Sequence, residues 1–185
     1  PVLIMAVMNA VLAALGQAID LSGAPRLLDV GGGSAAFDIE LCRLYPDLTA
    51  TVFELPNVAD IAARKVKEAG LTKRIETVAG DFFADSALPG GYDTILLSMI
   101  LHDWAEDRCR AILQKCWAAL PSGGRVIIAE LLVNLGLQAL LVGIAQVAGA
   151  GRDRGAGPSG LELGGRGIEP VPASPDEDQV GLLVE

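Results

Sequence analysis

The residues best suited to chemistry begin with a glycine-rich turn at residues 27–35, LLDVGGGSA. Glycine allows a tight turn and the close approach of a ligand, because it has no Cβ. The amide groups at the N-terminus of the helix that follows would face an anionic group. The turn therefore predicts a binding site for a ligand that carries a phosphate or a carboxylate.

This turn is compatible with more than one cofactor. Gly31, Gly33 and Ala36 match the dinucleotide fingerprint G-x-G-x-x-G/A. Glu54 follows about twenty residues later, where that fingerprint has the acid that binds a ribose. The turn alone leaves a nicotinamide cofactor and other adenosine-containing ligands open.

His102 is the only histidine of the chain. A lone histidine is more often structural than catalytic. An imidazole nevertheless titrates near neutral pH and can take a proton from a reacting group. The position of His102 relative to the predicted strands decides between these two interpretations.

Composition limits the classes of function. The 185 residues form one domain at most, and a formal net charge of −9 argues against nucleic acid as a partner. Cys42, Cys109 and Cys116 have no metal-ligand spacing, so we expect a reduced, cytoplasmic setting and no metal site. The uncharged residues 1–19 approach the length of a membrane span, but polar residues and glycine interrupt them, and a buried lead-in helix is preferred.

Residues 26–132 alternate between apolar strand patterns and helical patterns. Strands are predicted at residues 26–30, 49–55, 74–79, 92–99 and 125–132, and helices at residues 34–45, 57–70 and 106–120. This alternation predicts an α/β fold with a parallel sheet covered on both faces.

Polar residues stand at the end of each predicted strand. The carboxyl ends of parallel strands meet at one edge of a sheet, which is where such folds bind ligands. We therefore expect the polar groups to converge there, with His102 among them, and the catalytic interpretation of this histidine gains weight. These positions are Asp29, Glu54, Asp81, residues 98–102 and Glu130.

The order of five short motifs resembles the S-adenosylmethionine-dependent O-methyltransferases of the caffeate and hydroxyindole (acetylserotonin) type, which have many bacterial members. The resemblance covers residues 21–134, and it implies the Rossmann-like parallel sheet of a class I methyltransferase, incomplete at its C-terminal edge. A nicotinamide-binding domain has no reason to carry the third and fourth motifs, so an oxidoreductase ranks far lower. The motifs are DVGGG at residues 29–33, VFELP at 52–56, GDFF at 80–83, LHDW at 101–104, and PSGGR at 121–125 leading to Glu130.

The resemblance implies S-adenosylmethionine as cofactor. Gly31 and Gly33 would bind its methionine end, and Glu54, where relatives usually have Asp, would accept both ribose hydroxyls. Asp81 would accept a hydrogen bond from the adenine amino group, and Phe82 would pack against the ring.

Three further positions have a less specific pattern. Ser98 stands where relatives have a polar or basic residue that contacts the cofactor. Phe83 is equally compatible with a wall for adenine and with core packing. Trp104 is expected at the rim of the cofactor site, with plain core packing as the alternative.

The same resemblance implies a catalytic pair. His102 would be the general base that takes the proton of the acceptor hydroxyl. Glu130 matches the carboxylate that orients the base and stabilises the imidazolium. Asp103 would either cap a helix that starts near Trp104 or take part in catalysis.

The two ends of the chain depart from the family pattern. Residues 1–20 are expected to form the lead-in helix, and residues 21–134 the S-adenosylmethionine-binding domain. Residues 135–185 are rich in Gly and Pro and contain no Lys or aromatic residue, which predicts a non-homologous, disordered tail, such as an out-of-frame ending. Within it, residues 135–150 could form an apolar helix, and the sheet would keep an open edge beside its fifth strand.

The sequence therefore predicts an O-methyltransferase that acts on a hydroxyl group of a small aromatic or secondary-metabolite acceptor. Nucleic acid and membrane are not expected partners, and full-length relatives are expected to be homodimers through a region that this chain lacks. The rival hypothesis is an S-adenosylmethionine-binding remnant without catalytic activity.

Overall fold

The computed structural model describes residues 20–23, 26–134 and 137–146, with side chains described up to residue 130. The predicted lead-in helix lies outside these residues, as does the predicted tail from residue 147 onward. Within the described part, no helix has the length and apolar character needed to cross a membrane.

Six strands form a single sheet in the order β3-β2-β1-β4-β5-β6. The first five strands are parallel, and β6 runs antiparallel to β5. The predicted α/β class and parallel sheet are confirmed. The strands are β1 (Arg26–Val30), β2 (Thr49–Glu54), β3 (Ile75–Ala79), β4 (Thr94–Ser98), β5 (Arg125–Asn134) and β6 (Leu137–Gln146).

Three α-helices connect the parallel strands. They are α1 (Ala36–Leu44), α2 (Pro56–Glu68) and α3 (Glu106–Ala119). Proline suits the first turn of α2, because it lacks the N–H that would have no acceptor there. A 3₁₀ turn, Leu101–Asp103, lies between β4 and α3.

Both faces of the sheet are buried, as expected for parallel strands. Consecutive residues of β1 point to opposite faces: Leu27 packs in one apolar cluster with Val52, and Leu28 packs in the other with Ile95. The apolar side chains therefore hold helices on both sides, and only the strand ends are left for a binding site.

The segment after β5 differs from its predicted helix. Leu137–Gln146 is a strand that pairs along the whole of β5, from Arg125 opposite Gln146 to Asn134 opposite Leu137. Pairing with β5 satisfies backbone groups that would otherwise stay open at a sheet edge, and this outweighs the local helical pattern. The edge beside β5, expected to be open, is covered by β6.

The strand order places the binding site. Chain connections leave β1 in one direction across the sheet and β4 in the other, so the two neighbouring strands form the topological switch point. A crevice opens beyond the carboxyl ends of strands at such a point. The glycine turn follows β1, and the 3₁₀ turn follows β4.

Gly80, directly after β3, packs against the buried ring of Phe53. A Cβ at position 80 would lie 2.2 Å from Phe53 Cε2 and 2.6 Å from Asp85 Oδ2. We expect Gly80→Ala to lower the free energy of unfolding by about 1–3 kcal/mol through overpacking. Gly90→Ala is the matched control, because a Cβ there meets nothing within 4 Å. Equal thermal stability of the two variants would contradict this packing.

Candidate functional site

The glycine turn joins the ends of β1, β2 and β4. Gly31 has φ 78° and donates its N–H to the carbonyl of Phe53 at 2.8 Å. A Cβ on Gly31 would lie 2.4 Å from Ile100 Cδ1 and 3.7 Å from Phe82 Cε1. Glycine is thus required here both by the backbone conformation and by the side chains around it.

Strained backbone lies on both sides of the switch point. Ala35 has φ 65° at the start of α1, and Met99 has φ 58° directly after β4. They are the two non-glycine residues with positive φ in the described part of the chain. Such conformations cost on the order of 1–3 kcal/mol each and concentrate at functional sites.

Helix α1 begins without a capping side chain, since its N-cap residue is Ala35. The first amides of a helix have no acceptor within the helix. Here they start beside the glycine turn, so a ligand carboxylate can accept from them.

Glu54 lies at the end of β2, against the glycine turn. Its Oε2 accepts from the Gly33 amide at 3.1 Å, and its Oε1 accepts from the Leu55 amide at 2.7 Å. Each carboxylate oxygen has two lone-pair positions, so both can accept one more hydrogen bond. The carboxylate is held in place and can still receive two hydroxyl groups.

Asp81 follows β3 and closes a turn. Its Oδ1 accepts from the amides of Phe83 at 2.7 Å and Ala84 at 3.2 Å. The bond from the Phe83 amide, with that from Ala84, lowers the pKa of this carboxyl below its usual value. Asp81 is therefore an ionised acceptor.

Three aromatic rings cluster between this turn and the 3₁₀ turn. Phe83 lies 4.8 Å from Phe82 and 4.6 Å from Trp104, centroid to centroid, in edge-to-face arrangements. The guanidinium of Arg108 lies over the Phe83 ring at 4.6 Å. Of the rings, Phe82 is the one next to Gly31, and Trp104 is partly exposed.

His102 and Glu130 are brought together by β5 and the 3₁₀ turn. His102 Nδ1 lies 2.7 Å from Glu130 Oε2. The other oxygen of Glu130 accepts from the amides of Ile100 at 2.9 Å and Leu101 at 2.7 Å. Glu130 is buried, whereas the imidazole is 41% exposed. Since a carboxylate accepts at Nδ1, that nitrogen carries the proton and Nε2 keeps the lone pair that a base needs.

Asp103 does not cap α3, so this part of the prediction is wrong. The helix starts at Glu106, its N-cap residue is Ala105, and no side chain bonds to its first amides. Asp103 instead belongs to the 3₁₀ turn, where its Oδ1 lies 3.4 Å from His102 Nε2. The imidazole thus has a carboxylate on each side.

Ser98 ends β4 and is buried. Its Oγ has no hydrogen-bond partner among the described residues. A buried hydroxyl without a partner is costly, and a ligand or a water molecule at the site would satisfy it. In the same part of the chain, no three His, Cys, Asp or Glu residues are arranged to hold a metal ion.

Asp38 is a component of the site that the sequence analysis did not single out. Asp29 and Asp38 are both completely buried beneath the glycine turn, with their carboxyl groups within hydrogen-bonding reach of each other. Burial raises the pKa of Asp29 well above its usual value, and the nearby charge of Asp38 raises it further. Burial also raises the pKa of Asp38 to about 6. The available signal was a polar residue on the apolar face of α1, between Phe37 and Leu41.

Comparison with known proteins decides the family. A family model for an O-methyltransferase domain matches residues 4–146. The chain belongs to this O-methyltransferase family. The sheet described above thus has the fold of an O-methyltransferase domain.

Curated relatives within the family act on different molecules. The 3-hydroxy-5-methyl-1-naphthoate 3-O-methyltransferase of Streptomyces sahachiroi is 56% identical over 120 residues, which are 65% of this chain and 34% of that protein. The L-tyrosine C(3)-methyltransferase of Streptomyces lavendulae is 41% identical, over 64% of this chain and 32% of that protein. Acetylserotonin O-methyltransferase of Bos taurus is 40% identical, over 63% of this chain and 33% of that protein. The chain thus spans about a third of the length of these relatives.

Solved structures agree with the family. The S-adenosylmethionine-dependent methyltransferase SibL matches with a TM-score of 0.67 and 32% identity, over 71% of this chain and 38% of that one. The O-methyltransferase NcsB1, solved with S-adenosylmethionine and 2-hydroxy-5-methyl naphthoic acid, matches with a TM-score of 0.60 and 36% identity. That match covers 64% of this chain and 36% of NcsB1.

The buried pair Asp29 and Asp38 predicts an unusual dependence of stability on pH. An acid whose pKa is higher in the folded chain than in the unfolded chain binds its proton more tightly when folded, so it favours folding at low pH. This contribution is lost as the pH rises through about 6. We expect Asp38→Asn to raise the free energy of unfolding at pH 7.5 by on the order of 2 kcal/mol, with little gain at pH 4.

Chemical denaturation of the wild type and Asp38→Asn between pH 4 and pH 7.5 measures this difference. Asp60→Asn is the control, because Asp60 is exposed on α2 whereas the pair is buried. A constant difference between Asp38→Asn and the wild type at every pH would rule out the effect.

Proposed function

We propose that the chain binds S-adenosylmethionine at the carboxyl ends of β1 to β4, and that the protein transfers its methyl group to a hydroxyl of a small aromatic acceptor. The observation that carries this proposal is the contact of 2.7 Å between His102 and Glu130 at the edge of the crevice. With the proton on Nδ1, the Nε2 atom keeps the lone pair that a base needs, beside the glycine turn.

The residues around the crevice fit this cofactor. The first amides of α1, which follow the turn of Gly31 and Gly33, suit the methionine carboxylate. Glu54 offers two acceptor oxygens for the ribose diol, and neither is blocked by its bonds to the backbone. The hydroxyl of Ser98, which has no partner among the residues that the structure describes, supplies a further polar contact.

The adenine end has its own contacts in this proposal. Asp81 Oδ1 is used by two backbone amides, so Oδ2 is the oxygen assigned to the adenine amino group. Phe82, next to the glycine turn, provides the apolar wall for the ring.

When bound, S-adenosylmethionine supplies a methyl group on a positively charged sulfur. His102 Nε2 takes the proton of the acceptor hydroxyl as the oxygen attacks. Glu130 keeps the imidazole in the required tautomer and stabilises its protonated form. The amides of Ile100 and Leu101 hold Glu130 itself, so the base is positioned through three hydrogen bonds to one carboxylate.

The acceptor class follows from the relatives. Those compared above are named for a hydroxynaphthoate, for tyrosine and for acetylserotonin, all aromatic molecules. Deprotonation of an aromatic hydroxyl is a step that one histidine can perform near neutral pH. The proposal also includes a homodimer for the full-length protein and a cytoplasmic location, the latter supported by three free cysteines.

Glu54→Ala tests the cofactor assignment. Loss of the hydrogen bonds to the ribose should weaken the binding of S-adenosylhomocysteine by about 1.5–3 kcal/mol, or roughly 10- to 150-fold. Titration calorimetry measures this affinity, with Glu76→Ala on the exposed side of β3 as the control. The variant should lose less affinity for 2′,3′-dideoxy-S-adenosylhomocysteine. If the variant loses the same affinity for both ligands, Glu54 only supports the glycine turn through its bonds to the backbone and does not bind the ribose hydroxyls.

His102→Ala tests the base. We expect turnover with hydroxynaphthoates and other phenols to fall by about 10²- to 10⁴-fold, while affinity for S-adenosylmethionine stays within about twofold. Mass spectrometry of the methylated product measures turnover, and added imidazole should restore part of it. Near-normal turnover in this variant would refute the assignment. Cofactor binding without any transfer by the wild type would favour the non-catalytic remnant.

A further inference from the structure

Lys115 lies on α3, a helix that carries none of the residues assigned above. Its ammonium group donates to the carbonyls of Phe82 at 2.7 Å, Phe83 at 3.2 Å and Asp85 at 2.6 Å. An ammonium group has three N–H donors, and here all three are directed at one turn of the backbone.

The same turn is held from its other side by carboxylates. Asp81 Oδ1 accepts from the amides of Phe83 and Ala84, and Asp85 Oδ2 accepts from the Asp81 amide at 3.1 Å. The amides of residues 81, 83 and 84 thus donate to acids, and the carbonyls of residues 82, 83 and 85 accept from one cation. Because both ends of the peptide dipoles are bound by charged groups, each of these hydrogen bonds is stronger than one between neutral groups.

A second cation of α3 contacts this turn. Arg108 lies seven residues before Lys115, on the same side of the helix, and stacks over the ring of Phe83. Lys115 therefore fixes the backbone of the turn, while Arg108 covers one of its rings.

We propose that Lys115 is a positioning residue for recognition of the adenine group, acting through the turn 81–85. This inference rests on the proposed function, because Asp81 Oδ2 and Phe82 are the groups assigned to adenine. Lys115 sets where both are held without touching the cofactor. Loss of its three bonds frees the carbonyls of residues 82, 83 and 85, and the Asp81 carboxylate then no longer has a fixed position.

Binding of two ligands to Lys115→Met tests the inference. One is S-adenosylhomocysteine, and the other is its purine analogue with hydrogen in place of the 6-amino group. We expect Lys115→Met to bind the first ligand about 10-fold more weakly and the analogue no more than about 3-fold more weakly. Lys115→Arg, which keeps several N–H donors, should regain most of the lost affinity.

Arg110→Met is the matched control, because Arg110 is an exposed cation of the same helix and its ion-pair partner within the described residues is Glu106 alone. It should bind both ligands as the wild type does. If Lys115→Met does not fold, Lys115→Gln is measured against the same criteria. Faster hydrogen exchange at the amides of Phe83 and Ala84 in the Lys115 variant is a second expected result.

Two different failures can be told apart. A wild-type chain that binds neither ligand would overturn the proposed function and this inference with it. A wild-type chain that binds S-adenosylhomocysteine, with unchanged affinity in Lys115→Met or an equal loss for both ligands, would overturn only the role of Lys115.

Discussion

The site depends on one buried carboxylate that must be matched by donors. Glu130 is 5% exposed, and an unpaired charge at that depth would be costly. Its three donors are the amides of Ile100 and Leu101 and the imidazole of His102. To supply these hydrogen bonds, the backbone forms a 3₁₀ turn directly after β4, and the imidazole directs its Nδ1 atom toward Glu130 on β5. The geometry of the base is thus a result of satisfying the acid beneath it.

Unfavourable local features collect around the same crevice. Ala35 and Met99 are in left-handed conformations, Asp29 and Asp38 bury two carboxyl groups side by side, and the Ser98 hydroxyl has no partner among the described residues. The two apolar clusters on the faces of the sheet contribute the free energy that holds these features in place. This distribution is expected when the residues at the strand ends serve binding and the apolar clusters on the sheet faces serve stability.

Much of this arrangement can be predicted from sequence where the signal is local. The apolar pattern of segments such as β2 and β4 is enough to predict them as strands. The polar residues at their ends then lie at one edge of the sheet, because parallel strands share a direction. The partners of Lys115 are backbone carbonyls about thirty residues away, which leave no trace in the pattern of side chains. Strand β6 forms because β5 offers a free edge, and the position of Asp103 is set by a turn whose amides bind Glu130. Both features therefore depend on tertiary contacts.

The bond between the Gly33 amide and Glu54 joins two regions that a ligand would meet separately. For the proposed cofactor, one region faces the amino-acid end and the other faces the sugar. A ligand group that moves the Glu54 carboxylate therefore also moves the glycine turn that contacts the amino-acid end. In the same way, a group bound at the turn moves Glu54. The free energies of binding of methionine-like and adenosine-like fragments should consequently not add up to that of the whole molecule, since neighbouring sites that share a partner are coupled.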